Sequence, residues 1–352
     1  MPFTHSTQWK ERSFRNKLPD KPIEYGKILS TALFGRSRHT APAGEIPIVN
    51  RSGREFSRPP VSGLRVTWLG HSTSLVEIGG RRLLIDPVWG LRASPFSHVG
   101  TKRFHAPPLP LDEIPEIDAI LISHDHYDHL DRATVVRLAH LPIRWFVPLG
   151  VGSHLRFWGV PDERIVELDW WQEAGLPGVT VTSVPARHNS GRSVFFNDRR
   201  STLWCGWSIQ SSSRSVFFSG DSGMHEGFHQ IGDRLGPFDL TLIEIGAYDA
   251  LWVDHHMGPE QAVQAHRMVR GKLMLPVHWA TFELAPHSWT EPIERFLVAA
   301  EKAEIQYSLP RPGQSVEVDK SPYSRRWWPE LPWRDAASYP IRSSRTEHIL
   351  LP

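Results

Sequence analysis

The hexapeptide His124–His129, with the sequence HDHYDH, constrains this chain more than any other stretch, because it follows directly on the apolar run DAILIS. Such a run, bounded by polar residues, predicts a buried strand. The helical pattern DRATVVRLAHL comes next, with Asp131 as its candidate N-cap. Alternate residues of an extended segment point to the same side, so that His124 and His126 can share one metal ion. If the chain then turns into the helix, Asp128 and His129 can face a second ion beside the first.

Polar residues that bind metals also follow several other predicted strands. Four ligands do not complete two sites, and the missing ones are expected at later strand ends. The candidates there are His188 in VPARH, Asp221 in FFSGDSG and His278 in LPVHW, while two earlier strands end on His71 and Asp86. Rigid strands fix the loops at their ends, so these residues can gather at one edge. A carboxylate can bridge two cations, and Asp221, between nearby glycines, has room for a close approach.

Imidazole nitrogen combined with carboxylate oxygen suits zinc, and also iron or manganese, better than calcium or magnesium. We therefore expect two Zn²⁺ ions, with iron or manganese as alternatives. A single histidine at a strand end is more often a structural residue, and the prediction depends on the combination of the hexapeptide with three matching strand ends.

The order of the predicted elements favours an α/β fold with two mixed sheets flanked by helices. Short β-type runs begin near Leu64, and the pair Gly79-Gly80 between TSLVEI and RRLLIDP predicts a hairpin. Helical patterns occur in GPEQAVQAHRMV and TEPIERFLVAAEKA. We predict an extended arm over residues 1–60, with one short helix near Tyr25–Phe34. The catalytic domain is predicted over residues 61–318, and an irregular tail rich in Trp, Arg and Pro over residues 319–352.

Composition narrows the class of protein further. Forty Lys and Arg against 38 Asp and Glu leave a formal charge of +2, which gives no electrostatic reason to expect nucleic acid as a partner. One cysteine, Cys205, excludes an internal disulfide framework and a thiolate-rich zinc site. No stretch approaches the roughly 18–20 apolar residues of a membrane span. The first residues lack the apolar core of a secretion signal. We expect a cytoplasmic protein.

The motif SHDHYDHLD resembles the signature of the metallo-β-lactamase superfamily. Within that superfamily, the chain resembles the family of phospholipases D that hydrolyse N-acyl-phosphatidylethanolamine. The resemblance runs from about residue 70 to residue 313, through LLIDPVW, RASPFSHVGTKRF, IDAILISHDHYDHLD, VELDWW, FFSGDSG, GPFDLTLIEIGAYD and HMGPEQAV. It implies the metallo-β-lactamase αββα sandwich and a lipid phosphodiester as the substrate.

The resemblance also implies a ligand set. One metal would be bound by His124, His126 and His188, and the second by Asp128, His129 and His278, with Asp221 bridging both. It further implies that His256 lies near the substrate phosphate. The catalytic residues would then be Asp128, Asp221 and His256. Residues around the metals or the substrate are expected to include Asp86, His287 and Tyr127.

The predicted reaction is attack of a metal-bound hydroxide on phosphorus, giving phosphatidic acid and an N-acylethanolamine. A lactonase or a general phosphodiesterase on the same fold is the nearest alternative, because the same ligands would serve it. A non-hydrolytic di-iron redox protein is the alternative from another class. The tail sequence SPYSRRWWPELPWRD interleaves Arg with Trp, which is compatible with peripheral contact at the inner membrane face, or with packing over the domain.

Overall fold

A computed structural model describes residues 3–22, 24–30, 35–195 and 197–346 of the chain. The first ten strands in these ranges are β1 (Trp9–Lys10), β2 (Ser13–Phe14), β3 (Leu64–Gly70), β4 (Thr73–Ile78), β5 (Arg81–Ile85), β6 (Arg92–Ala93), β7 (Thr101–Lys102), β8 (Ala119–Leu121), β9 (Arg144–Pro148) and β10 (Ile165–Leu168). Eight strands follow: β11 (Glu173–Leu176), β12 (Val179–Val184), β13 (Gly206–Gln210), β14 (Ser215–Phe218), β15 (Phe238–Glu244), β16 (Gly271–Val277), β17 (Gln306–Tyr307) and β18 (Ser315–Glu317).

The helices are fewer and short. They are α1 (Tyr25–Ser30), α2 (Arg132–Leu138), α3 (Gly152–Phe157), α4 (Gly227–Leu235), α5 (Pro259–Met268) and α6 (Glu291–Lys302). The side chain of Asp131 accepts hydrogen bonds from the amides of Ala133 and Thr134, which confirms it as the N-cap of α2. No helix in the described ranges is both long enough and apolar enough to cross a membrane.

Two seven-stranded mixed sheets form the centre of the molecule. The first has the strand order β10-β9-β8-β5-β4-β3-β18, and the second has the order β11-β12-β13-β14-β15-β16-β17. In both sheets parallel pairs occupy one half and antiparallel pairs the other. The predicted hairpin joins β4 to β5, and both of its glycines, Gly79 and Gly80, have positive φ angles of 58° and 75°.

Alternation along the strands of the first sheet divides the core into layers. Leu83 and Ile85 of β5 point into the cluster shared with the second sheet, whereas Leu84 between them joins a separate cluster that contains Val135 and Leu138 of α2. Helices α4, α5 and α6 contribute buried residues to the larger cluster. The order of layers is therefore helix, sheet, sheet, helix, as predicted.

The described parts of the arm and the tail pack against the sandwich, and each contributes a buried residue, Phe14 and Trp328, to its core. The arm carries the β1–β2 pair and α1, which ends at Ser30, whereas the rest of the predicted helix, residues 31–34, lies outside the described residues. In the tail, the Trp327 ring lies 5.1 Å and the Trp328 ring 5.3 Å from that of Trp279. The guanidinium of Arg326 pairs with the carboxylate of Glu294 in α6. Packing over the domain thus accounts for this part of the tail.

A buried histidine in α5 predicts acid sensitivity of the fold. His266 is 1% exposed, and its Nδ1 lies 2.8 Å from Oγ1 of Thr241. Burial lowers the pKa of His266 from 6.5 to about 4. The unfolded chain therefore takes up this proton as the pH falls below about 6.5, whereas the folded protein does so only near about 4, so stability is lost across that window. Between about pH 6.5 and 5, His266 should remove about 2 kcal/mol from the free energy of unfolding.

Urea unfolding at about pH 7.5 and about pH 5 measures this effect. The loss of stability between the two values should be smaller by about 2 kcal/mol in a His266→Gln variant than in the unaltered protein. Equal losses in the two proteins would show that this histidine does not carry the effect.

Candidate metal centre

Strands β3, β5 and β16, which belong to both sheets, end at one edge of the sandwich, where the residue that follows each strand turns sharply. His71 follows β3, Asp86 follows β5 and His278 follows β16, with φ angles of 52°, 40° and 65°. Positive φ is uncommon for residues other than glycine and is concentrated at functional sites. The amide of His278 donates to the carbonyl of His71 over 3.0 Å, and this hydrogen bond joins the two sheets at the edge.

A first set of three donors comes from two loops. Nε2 of His124 lies 3.0 Å from Nδ1 of His126, and Nε2 of His188 lies 3.2 Å from the same atom. A tetrahedral site with metal–nitrogen distances of about 2.0–2.1 Å would place its ligand atoms about 3.3–3.4 Å apart. The three rings therefore converge as the ligands of one ion would.

A second set lies beside the first. Nε2 of His129 lies 3.2 Å from both Oδ2 of Asp128 and Nε2 of His278, and Oδ2 of Asp128 is 3.4 Å from Nε2 of His278. His71 adds a contact, because its Nε2 lies 2.8 Å from Oδ2 of Asp128. The strand-end histidine His71 therefore orients Asp128 within this second set.

Asp221 lies between the two sets. Its Oδ1 is 3.1 Å from Nε2 of His278. Its Oδ2 is 3.1 Å from Nε2 of His129, 3.7 Å from that of His124 and 3.8 Å from that of His188. The structure thus brings together all seven residues that the sequence suggested as ligands.

The backbone beside Asp221 explains the glycine that precedes it. Gly220 has a φ angle of 58°, and a Cβ atom there would lie 2.5 Å from the carbonyl oxygen of Cys205. Only glycine fits this turn without displacing the neighbouring strand.

The pKa values of the histidines differ between the two donor sets. Burial lowers the pKa of His124 and of His188 well below the ordinary value for histidine. Burial would do the same at His129 and His278, but Asp221 and Asp128 outweigh it, raising the pKa of His129 well above its ordinary value and that of His278 to about 10. The carboxylates therefore attract positive charge into the second set.

The donor atoms fit a pair of metal ions. All seven side chains offer an imidazole nitrogen or a carboxylate oxygen, and the ligand atoms of each grouping lie within 4.8 Å of one another. Oδ1 of Asp221 is buried, and although it lies 3.1 Å from Nε2 of His278, the two atoms do not meet the geometry of a hydrogen bond. A bound cation would supply the partner that a buried carboxylate oxygen normally has.

Hydrogen bonds from outside the cluster hold several of these rings. Nδ1–H of His129 donates to Oδ2 of Asp86 over 2.7 Å, and Asp86 also accepts from the amide and hydroxyl of Ser123. Nδ1–H of His188 donates to the carbonyl of His255 over 2.8 Å. Such partners fix the ring orientation and leave the opposite nitrogen for a metal.

Asn16, from the N-terminal arm, forms two hydrogen bonds with the backbone of His188. Its Nδ2 donates to the carbonyl of His188 over 2.8 Å, and its Oδ1 accepts from the amide of the same residue over 3.1 Å. The arm therefore takes part in positioning a ligand of the first donor set, which the sequence did not suggest.

An Asn16→Ala variant should retain metal in the first donor set about tenfold more weakly, because the loop that carries His188 loses both hydrogen bonds. Competition with a chelator of known affinity measures this. Asn197→Ala, which alters an exposed asparagine on a neighbouring loop, is the matched control. Identical metal retention in the two variants would rule out this role for Asn16.

His256 lies next to the cluster with a partner of its own. Its Nδ1 is 2.8 Å from Oε2 of the buried Glu244 and 3.9 Å from Oδ2 of Asp221. Glu244 was missed at the sequence level, although its position as the one charged residue near the end of the apolar run LTLIEIG was a signal. The hydrogen bond between Nδ1 of His256 and Glu244 leaves Nε2 of His256 available for a substrate.

The two remaining predicted residues make other contacts. The hydroxyl of Tyr127 donates to the carbonyl of Arg192 over 2.5 Å. His287 has its Nδ1 at 2.9 Å from the carbonyl of Ser288, and its ring lies 4.6 Å from that of Tyr248. His287 lines a narrow crevice that His278 also lines. Neither Tyr127 nor His287 has a hydrogen bond or ring contact to the seven donors among the described contacts.

An αββα sandwich whose strand ends carry two such donor sets defines a protein of the metallo-β-lactamase fold. Residues 81–279 match the family described as Beta-lactamase superfamily domain. The chain belongs to this superfamily and is a metal-dependent hydrolase of the metallo-β-lactamase family.

Two relatives cover most of the sandwich. An uncharacterised protein of Mycobacterium tuberculosis is 50% identical over 306 residues, which cover 86% of this chain and 81% of that protein. The N-acyl-phosphatidylethanolamine-hydrolyzing phospholipase D 1 of Caenorhabditis elegans is 38% identical over 251 residues, covering 68% of this chain and 69% of that protein.

Solved structures share the fold at lower identity. The metallo hydrolase Igni18 of Ignicoccus hospitalis aligns with a TM-score of 0.54 and 22% identity, covering 72% of this chain and 97% of that one. CmlA, a diiron β-hydroxylase of Streptomyces venezuelae, aligns with a TM-score of 0.54 and 18% identity, covering 74% and 55%. At these identities the two structures support the fold and not a shared reaction.

Proposed function

We propose that the chain is a zinc-dependent phosphodiesterase of the phospholipase D type, acting on N-acyl-phosphatidylethanolamine or a closely similar lipid. The observation that carries this proposal is the position of Asp221 between two complete donor sets. The likeness to the nematode enzyme supports the choice of substrate class.

The seven donors fall into two groups, and each group would hold one metal ion. His124, His126 and His188 would bind one, Asp128, His129 and His278 the other, and Asp221 both. Two adjacent cations supply hydroxide at neutral pH and neutralise charge on a phosphoryl group.

The chain's own residues would orient the substrate. Burial raises the pKa of Glu244 well above its ordinary value, so its carboxyl can donate to Nδ1 of His256 and leave Nε2–H to donate to a phosphoryl or leaving-group oxygen. The crevice that reaches His278 is lined largely by apolar side chains, which include Trp279, Phe282 and Leu284. Its volume, about 20 Å³, is close to that of one water molecule, so this crevice does not by itself select the substrate.

The reaction would break the bond between phosphorus and the oxygen of the N-acylethanolamine. Water adds its oxygen to phosphorus to give phosphatidic acid, and the departing oxygen takes the proton. In water labelled with ¹⁸O, the label should therefore enter phosphatidic acid and be absent from the N-acylethanolamine.

Product analysis by mass spectrometry tests the proposal. Protein loaded separately with zinc, manganese or iron would be incubated with a panel of phospholipids, a soluble phosphodiester and N-acyl lactones. Release of N-acylethanolamine, fastest with zinc, is expected. Hydrolysis confined to the lactone or the soluble diester would replace the proposal with the corresponding alternative. No hydrolysis together with a visible absorption band in the iron form would favour the di-iron redox protein.

His256→Ala should lower the rate of hydrolysis about a hundredfold and leave the metal content unchanged, because His256 is proposed to contact the substrate rather than the metals. Activity and metal content are measured on the same sample. Loss of one metal equivalent in this variant would instead make His256 a ligand, which its position near Asp221 also allows.

A further inference from the structure

A large cavity lies between the N-terminal arm and the loop at Arg199–Arg200. Its volume is about 880 Å³. It is lined by residues of the arm, the loop and one residue beside the metal cluster: Lys10, Ser13, Arg15, Asn16, Lys17, Leu18, Pro19, Asp20, Lys21, Pro22, Arg199, Arg200 and His255. The cavity is thus separate from the metal cluster, and Asn16 and His255 are the lining residues that lie next to the cluster.

The lining is strongly cationic. Six of its side chains are Lys or Arg, and one, Asp20, is acidic. Asp20 is already engaged by Arg200 and by Nδ2 of Asn16 at 2.9 Å. Arg15 pairs with Glu11 at 3.0 Å, whereas in the described part of the chain neither Lys10 nor Lys17 has a carboxylate within ion-pair distance.

This local excess contrasts with the whole chain, whose formal charge is only +2. Cations gathered in a concave surface reinforce one another's potential and raise the local concentration of anions. A phosphate group suits such a lining, because it accepts several hydrogen bonds and a monoester carries about −1.5 to −2 charges near neutral pH.

We propose that this cavity binds a phosphate-bearing anion at a site separate from the metal cluster. The site goes beyond the proposed hydrolytic function, because none of its lysines contacts a metal donor in the described contacts. The phosphate can belong to a small soluble molecule or to a lipid headgroup, and both offer the same chemistry to the lysines.

Hydrogen exchange read by mass spectrometry locates the site on the full chain loaded with zinc. The probes are inorganic phosphate, vesicles of phosphatidylcholine with about one third phosphatidic acid, and vesicles of phosphatidylcholine alone, all at equal ionic strength. Amides of residues 8–22 and 197–203 should exchange more slowly with the phosphate-bearing probes than with the neutral vesicles.

Two matched variants control the experiment. In the first, Lys10→Ala, Lys17→Ala and Lys21→Ala are combined. In the second, three exposed cations elsewhere are changed, Arg132→Ala, Arg267→Ala and Lys302→Ala, so that the net charge falls equally. Near an anionic bilayer each lysine contributes roughly a fivefold factor in binding. The first variant should therefore lose at least about tenfold in vesicle pelleting if a lipid is the source, and the second should lose far less.

The outcomes separate the sources and the proposals. Protection by inorganic phosphate that the first variant lacks assigns the site to a phosphate group as such. Protection by the vesicles that contain phosphatidic acid, without protection by inorganic phosphate, assigns it to a lipid headgroup. Absence of protection with both probes, or protection that persists in the first variant, overturns the proposal. Because hydrolysis is not a readout, failure here leaves the proposed phosphodiesterase standing, and the reverse also holds.

Discussion

Replacement of Asp221 with asparagine should lower the rate of hydrolysis at least about a thousandfold while the protein keeps its fold. Asparagine has nearly the same size but no charge. Among the described residues, Asp221 is the one carboxylate that lies within 3.1 Å of ligand atoms in the second set and also within 4 Å of ligand atoms in the first. Without the negative charge of Asp221, the two cations would lose a carboxylate that attracts both of them, and both sets would bind metal more weakly.

Three measurements on the Asp221→Asn variant distinguish this role from a general loss of structure. Product formation should vanish, bound metal should fall below two equivalents, and the circular dichroism spectrum should remain that of the unaltered protein. Asp239→Asn is the matched control, because Asp239 lies in β15 near the end of the strand remote from the cluster and pairs with Lys272. Undiminished hydrolysis in Asp221→Asn would remove the basis of the proposed mechanism.

The donor set could be predicted from the sequence because each of its members is marked locally. A strand shows itself by a short apolar run, and a donor at its end stands out against that run, as at His188 and His278. The hairpin at Gly79-Gly80 could also be predicted from adjacent residues, since positive φ at both positions favours glycine. Convergence at one edge then follows from sheet geometry.

What the sequence did not reveal depends on contacts between distant parts of the chain. Asn16 reaches the backbone of His188 across 172 positions, and no periodicity in the arm signals that contact. Glu244 is visible as a charge within an apolar run, but its partner His256 lies beyond the strand, in a loop whose path only the tertiary structure fixes. Short strands such as β11, whose residues alternate between exposed and half-buried and include a glycine, also lack the apolar run that would mark them in the sequence.

The same limitation hid Arg187, a buried side chain of the sandwich that contacts both the arm and the tail. Arg187 is 2% exposed, and it pairs with Asp254 at 3.0 Å and Asp20 at 3.7 Å. It also donates to the carbonyls of Pro19 and Ser344, which belong to the two ends of the described chain. One guanidinium therefore fastens the arm, the tail and the loop before His255 to the strand end that carries His188.

Arg187→Met should lower the free energy of unfolding by about 3–5 kcal/mol, because Asp254 would remain buried without its cation and several carbonyls would lose their donor. Urea unfolding measures the loss. In Arg137→Met, which breaks an ion pair between two exposed side chains, the loss should stay below about 1 kcal/mol.

Two further observations decide whether the buried charge is the cause. In the double variant Arg187→Met with Asp254→Asn, the loss should be smaller than the sum of the two single losses by at least about 1 kcal/mol, since neither charge is then left unpaired. Hydrogen exchange should accelerate first at residues 19–22 and 343–346 in Arg187→Met, because both segments lose the same donor. Additive losses, or acceleration spread evenly over the sandwich, would mean that Arg187 contributes through packing alone and does not hold the two ends of the chain against the metal centre.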